Sequence, residues 1–219
     1  MIALINITGA KAFGEQQNEA LYTVSVNEKK VGDVNAVYVD ASFDFPLDSE
    51  LAVVIDFAPI GVKRWMADFR HKEFWCRPIF GKRFSDIPDQ TQALICKMTD
   101  GSYITILPVV SEQYKCILCG TQMEQIQAQL FSWYEKLNSC SALAFVWAQG
   151  ENPYELMHKC AAAAVELLGN RCKLREERKY PEIFEYLGWC SWDAFHMDVT
   201  EQDLLDKCRE FKEKNIPVK

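Results

Sequence analysis

The sequence predicts a mostly β fold: a large antiparallel β-sandwich, then a linker helix, then the first βα unit of a (β/α)8 barrel that goes no further. Three observations carry this. Up to about residue 150, short runs of β-branched and aromatic residues alternate with polar ones and are separated by turn signals. Asn152-Pro-Tyr-Glu155 then opens a helical pattern. Near the end, the apolar run Tyr186 to Trp192 is followed by a capped helical pattern and by Ile216-Pro-Val-Lys219, which reads as the start of another strand. The expected divisions are 1–150 for the sandwich, 151–184 for the helix and a charged linker, and 185–219 for the barrel start.

Within the sandwich region, Tyr22, Val24 and Val26 alternate with polar residues, and Asn27-Glu-Lys-Lys30 is expected to turn. Ala36–Asp40 and Leu51–Phe57 read as further strands. Pro46, Pro59, Pro78 and Pro88 punctuate the connections. Asp100-Gly101 is the strongest hairpin signal, with residues suited to a type I′ turn between Ala93–Thr99 and Ser102–Val109. In Glu124–Leu130, helix propensity and period disagree. Gln and Ala favour helix, yet Ile126, Ala128 and Leu130 alternate strictly with Gln125, Gln127 and Gln129, so a half-buried strand is expected. Ser141–Ala148 closes the β region as a more buried strand.

Asn152 is a suitable N-cap, Pro153 suits the first helical position and Glu155 the first turn. Leu156, Cys160, Ala163 or Ala164, and Leu167 form the apolar stripe, and Gly169-Asn170 ends it. Arg171–Lys179 is strongly charged and reads as an exposed linker. After Asp193, Thr200 is an N-cap with Asp203 as its capping-box partner. Leu204, Cys208 and Phe211 recur on one helical face, and Asn215 and Pro217 close the helix.

Composition excludes several classes. A net charge of −7 lacks the electrostatic footprint of a nucleic-acid binder. The sequence contains no apolar run long enough to span a membrane. Met1-Ile-Ala-Leu-Ile-Asn-Ile has no basic residue before it and lacks the parts of a signal peptide. The odd count of 9 cysteines suggests free thiols in a reducing compartment, so a cytoplasmic location is expected. Cys116-Ile-Leu-Cys119 has the CxxC spacing but sits in a strand-like run, and no second pair completes a zinc site. Asn6-Ile-Thr8 is a glycosylation sequon without use in that compartment. No metal or organic cofactor is expected.

Asp193, with Trp189 and Trp192 beside it, falls at the carboxyl end of the expected barrel strand, where such barrels place their chemistry. Tryptophan rings stack on the C–H faces of sugars, and a carboxylate accepts hydrogen bonds from hydroxyls. The same residues fit a plain reading, as core tryptophans and a helix-leading aspartate. A second constellation, Arg64–Gly81, interleaves Trp65, Phe69, Phe74, Trp75 and Phe80 with Lys63, Arg64, Arg70, His71, Lys72 and Arg77. That pattern suits ligand binding, and equally a strand pair with an aromatic inner face and a basic outer one.

Leu187-Gly-Trp-Cys-Ser-Trp-Asp-Ala-Phe195 resembles the first barrel strand of the raffinose synthase and seed-imbibition-protein branch of glycoside hydrolase family 36, which includes alkaline α-galactosidases. Arg64–Trp75, Leu107–Lys115 and Asn152–Leu156 fit the same family in the same order. Ser191 departs from the family's usual Thr, and His196 from its usual Tyr. The resemblance implies an antiparallel sandwich ahead of a barrel and a retaining reaction at an α-galactosyl bond. Such a reaction needs two carboxylates about 5–5.5 Å apart, which the family draws from later barrel strands. No catalytic residue is therefore expected in this chain, which should be inactive by itself. Asp193, Trp192 and Trp189 are implied as contacts to the sugar. Trp75 is the candidate for a sandwich tryptophan that reaches the barrel mouth. The partner implied is an α-galactoside of the raffinose series, with a homo-oligomer also admitted. The rival expectation is a non-catalytic sandwich that binds carbohydrate or another protein.

Overall fold

The computed structural model describes residues 5–12, 22–44, 46 and 50–219. The chain divides into two compact units, residues 1–172 and 173–219. The absence of a signal peptide was read partly on residues 1–4, which lie outside the described residues.

In the first unit the strands are β1 Ile5–Ala12, β2 Tyr22–Val31, β3 Val34–Phe43, β4 Leu51–Pro59, β5 Val62–Lys72 and β6 Trp75–Gly81. They continue as β7 Thr91–Met98, β8 Tyr103–Pro108, β9 Lys115–Gly120, β10 Ile126–Phe131 and β11 Ser139–Gly150. All pair antiparallel. The main path runs β1-β4-β10-β9-β7-β8-β11-β3-β2, with β5 on β7 and β6 on β5. Where the β1–β4–β10–β9 half meets the other, strand β9 joins β7 by one pair, Thr91 with Leu118, and Lys115 bridges Val110 just after β8. At the far ends of the path, β1 and β2 approach each other, so the sheet nearly closes.

The two halves face each other across one core. Phe57 of β4 stacks on Phe145 of β11 with ring centroids 5.0 Å apart. Around them lie Val37, Val39, Ile55, Leu94, Ile104, Ile106, Leu118 and Leu130, all buried. The expected two-layer packing is therefore present, but the layers are parts of one continuous sheet. β10 alternates as the two-residue period requires, with Ile126, Ala128 and Leu130 buried.

Two turns differ from expectation. Asn27–Lys30 does not turn: β2 runs through it, and the loop is Gly32-Asp33, with Val31 paired to Val34. Gly32 has φ +59°, which only a residue without Cβ adopts freely. The exposed charges of Glu28, Lys29 and Lys30 instead line an edge strand, where they discourage pairing with another chain. The Asp100-Gly101 hairpin is present, but positive φ falls on Gly101 and not on Asp100. The Gly101 N–H donates to Met98 and the Met98 N–H to Ser102, the pattern of a type I turn with a bulge. Asp100 Oδ1 accepts from the Ser102 N–H at 2.9 Å and from Oγ at 2.7 Å, which holds Asp100 out of the left-handed region.

Helix α1, Pro153–Leu167, starts as its sequence dictates: Asn152 Oδ1 accepts from the Tyr154 N–H at 3.0 Å. It lays Leu156, Cys160, Ala163 and Ala164 on the outer face of β8 and β11, against Leu143, Val146 and Ala148. It is thus an integral layer of the first unit.

In the second unit, the expected buried strand Tyr186–Trp192 is not formed. Leu187 makes one parallel bridge to Val218, and the Lys219 N–H donates to Leu187 O. A helical turn, α2 Trp192–Phe195, begins where the strand was expected to end. Burial of a strand requires neighbours on both edges and a covering layer, and Val218 is the one strand-like partner among the described residues. Helix α3, Glu201–Glu213, forms as expected. Thr200 Oγ1 accepts from the Asp203 N–H, and Asp203 Oδ2 accepts from the Thr200 N–H and Oγ1. Asn215, at φ +52°, ends it.

Candidate functional site

The aromatic residues of the second unit pack on one another. Trp189 sits edge-on to Phe195 and Phe211, with centroids at 6.3 and 5.4 Å, which joins the motif to α3. Trp192 meets His196 edge-on at 5.6 Å, its one ring pair among the described residues. The two tryptophans are 38% and 55% exposed, so Trp192 is the ring with more free surface. Asp193 is exposed and makes no hydrogen bond or ion pair among the described residues. The chain turns sharply just after it, because His196 has φ +50° and ψ −128°. That conformation is uncommon for a residue with a Cβ. The motif thus carries one carboxylate and one tryptophan face, both unengaged, within two consecutive residues.

In the first unit, Trp75 opens β6 beside the Glu73-Phe74 turn and is 64% exposed. Lys72 Nζ lies 5.6 Å from its ring centroid. The reading of Arg64–Gly81 as a strand pair with an aromatic inner face holds for one ring. Trp65 is buried and donates its indole N–H to Arg83 O at 3.0 Å. Phe74 and Phe80 are exposed with Trp75. The base of the hairpin is held tightly. A Cβ at Gly81 would meet the Trp65 ring at 2.2 Å. Beyond it, the Glu124 carboxylate accepts from the Phe84 N–H at 2.8 Å, Ser85 Oγ at 2.7 Å and Arg83 Nε at 3.1 Å. The Ser85 bond, with the Arg83 and Phe84 bonds, holds that carboxyl below its ordinary range.

Cys116 and Cys119 lie three residues apart on β9, so their side chains leave opposite faces of the strand. All nine cysteines are free. Among the described residues, no group of three or more His, Cys, Asp or Glu side chains is placed to hold a metal.

Trp133 was not singled out from the sequence, though its ring is 74% exposed. The signal was available. Gln127, Gln129 and Phe131 point outward from β10, and Trp133 continues their alternation past the end of the strand.

The family described as "Raffinose synthase or seed imbibition protein Sip1" matches residues 6–219. A probable galactinol–sucrose galactosyltransferase 6 of Arabidopsis thaliana is 27% identical over 197 residues, which are 82% of this chain and 26% of that protein. The stachyose synthase of Pisum sativum is 28% identical over 157 residues, 70% of this chain and 18% of that enzyme. The chain therefore spans about a quarter or less of the length of these relatives. Among solved structures, the GH36 α-galactosidase AgaA from Geobacillus stearothermophilus aligns with a TM-score of 0.43 and 10% identity, over 95% of this chain and 36% of that one.

Proposed function

Since this chain belongs to the raffinose synthase and seed imbibition protein family, we propose that it is the amino-terminal portion of an enzyme that cleaves an α-galactosyl bond and passes the galactosyl unit to water or to a second sugar. The single observation behind this reading is the family match across residues 6–219, which includes the Leu187–Phe195 motif.

In this reading residues 1–150 are the sandwich, 151–184 connect, and 185–219 open the catalytic barrel. The parallel bridge of Leu187 to Val218, with α3 between them, supports a βαβ start. Asp193 then stands just past a strand's carboxyl end, where barrel enzymes bind substrate. Its carboxylate accepts hydrogen bonds from galactosyl hydroxyls, and the Trp192 ring stacks on the sugar's C–H face. Trp189 braces the motif against α3 through Phe211 and borders the same subsite. Trp75, exposed on the first unit's hairpin, is a further proposed sugar contact. In a retaining displacement one carboxylate attacks the anomeric carbon while the second protonates the departing oxygen. The second then deprotonates the incoming water or sugar hydroxyl. Neither role is assigned to a residue of this chain, so residues 1–219 alone turn over no α-galactoside. We further propose a cytoplasmic protein, with neither nucleic acid nor membrane as partner, that is able to self-associate.

The test is Asp193→Asn in a longer protein that contains this chain and is active. Loss of a charge-assisted hydrogen bond of about 1.5–3 kcal/mol lowers kcat/KM roughly 10- to 100-fold. Unchanged kcat/KM on galactinol plus sucrose and on a chromogenic α-galactoside removes Asp193 from the site. Turnover by residues 1–219 alone, with contaminating enzyme excluded, overturns the division of labour.

A further inference from the structure

The outer face of the β4–β10–β9 half has no part in the reading above, yet it is built unlike the rest of the surface. β10 presents Gln127, Gln129 and Phe131 outward, opposite Asp56 and Val54 of β4 and opposite Cys119, Ile117 and Lys115 of β9. The amides form a line. Gln129 Nε2 donates to Gln127 Oε1 at 3.1 Å, and Gln127 Nε2 donates to Asp56 Oδ1 at 2.8 Å. At the end of the line are two rings under one cation. Lys115 Nζ lies 5.9 Å from the Phe131 centroid and 5.0 Å from that of Trp133. Burial holds the Lys115 ammonium below its ordinary range, with Arg70 adding to the effect.

We propose that this face, from Asp56 and Gln127 through Gln129 and Phe131 to Lys115 and Trp133, is a binding platform for a neutral oligosaccharide, separate from the Asp193 motif. Four features define the ligand. The face has an apolar floor, since Val54 and Ile117, which flank Gln129 in register, are buried. Its polar groups are amides plus one carboxylate and one ammonium, which pair with hydroxyls and leave no net charge to attract an ion. Its terminal ring is largely free and accepts the C–H face of a pyranose. From Gln127 to Trp133 the strand spacing gives about 20 Å at ~3.3 Å per residue, room for several linked rings and far more than one. The platform depends on neither the catalytic reading nor Asp193, and lies wholly within the first unit.

Stachyose titrated into the 219-residue chain, followed by tryptophan fluorescence and by amide chemical shifts, tests this. The expected result is saturable binding, with perturbed shifts concentrated in β10 and β9. Trp133→Ala weakens it at least about tenfold, equivalent to about 1.4 kcal/mol. Gln129→Ala weakens it less. Tyr154→Ala, at an exposed residue of α1, leaves it unchanged. Trp133 is exposed, so its replacement leaves the fold intact, and an unchanged far-ultraviolet spectrum checks this. Absence of saturable binding overturns the proposal, as does binding that survives Trp133→Ala or that is lost in Asp193→Asn. Loss in Asp193→Asn would assign the binding to the Asp193 motif instead; the other results leave the catalytic assignment, read in the longer protein, untouched.

Discussion

The two units use similar residues to opposite effect. Up to Cys172, Trp65, Phe57 and Phe145 are enclosed, and the sheet returns on itself around them. From Lys173 on, the chain carries Phe184, Tyr186, Leu187, Trp189, Trp192 and Leu205, and none of its residues is buried. Apolar composition alone does not make a core. A core requires that every apolar face meet another layer, and one bridge plus one helix cannot enclose a ring. The aromatic groups of the second unit are consequently weak contributors to its own stability, whereas the enclosed rings of the first are nearly irreplaceable.

The sharpest way to break this comparison is matched truncation. Phe145→Ala removes a fully buried ring stacked on Phe57 and should cost about 3–5 kcal/mol of first-unit stability. Trp189→Ala loses two edge-on contacts of a part-exposed ring, and aromatic pairs of this kind contribute about 0.5–1.5 kcal/mol each. Urea unfolding of the 219-residue chain measures both. Equal losses would show that the second unit has a core of its own. Gly120→Ala belongs with the first class, since the added Cβ would fall 1.8 Å from Phe84 O, a backbone atom that cannot swing away.

Cysteines sharpen the comparison through pH. Burial pushes the Cys96, Cys140 and Cys160 thiols up to about 12 from 9.0. A folded-state value above the unfolded one gives stability that is complete below about pH 9 and is lost as pH rises towards 12. The unfolded chain releases those protons first, so it gains on the folded one at roughly 1.4 kcal/mol per pH unit for each thiol at most. First-unit stability should therefore fall steeply above pH 9, and replacing Cys160 by Ala should flatten that fall. Alkylation at pH 8 should label Cys76, Cys172, Cys190 and Cys208 quickly, and the five buried thiols only on unfolding. Rapid labelling of all nine would contradict the enclosed core.

What could be read from the sequence follows the same division. The period of β10, the Asn152 cap and the Thr200–Asp203 box are local signals, and local signals decide those elements. One turn was misplaced and another given the wrong type because their cues compete: charged residues serve an edge strand as well as a turn, and Asp100 bonds Ser102 in preference to adopting positive φ. The strand at Tyr186–Trp192 failed for a different reason. Its apolar residues specify burial against partners, and no local residue pattern can supply those partners. The candidate site residues Trp75, Trp189, Trp192 and Asp193 are all exposed, Trp189 least among the tryptophans. The Gln127–Trp133 face was legible as alternation, but its link to Lys115 is a cross-strand contact that only the register reveals.

The smallest expected effect compares two helix caps of the same kind. Asn152 caps α1 and Thr200 caps α3, and either replacement by Ala removes a side-chain acceptor for a free N–H, typically about 1 kcal/mol. The consequences should differ. Helix α1 is fixed to the sheet through Leu156, Cys160, Ala163 and Ala164, so opening it also exposes apolar surface. Asn152→Ala should leave amide exchange at the middle of α1 governed by unfolding of the whole unit. Helix α3 has no buried residue, and its start depends on the Thr200–Asp203 box. Thr200→Ala should speed exchange along the first two turns of α3 about fivefold. The box also carries a pH signature. Its hydrogen bonds from Thr200 hold the Asp203 carboxyl below its ordinary value, so its support is present above the unfolded-state value and fades as pH falls through the folded one. Protection in α3, taken relative to the intrinsic exchange rate at each pH, should therefore fall at acid pH in the natural sequence, and Thr200→Ala should weaken that dependence. If mid-helix exchange in α1 and α3 responds equally to loss of its cap, the second unit is held by packing as firmly as the first, and the contrast between them fails.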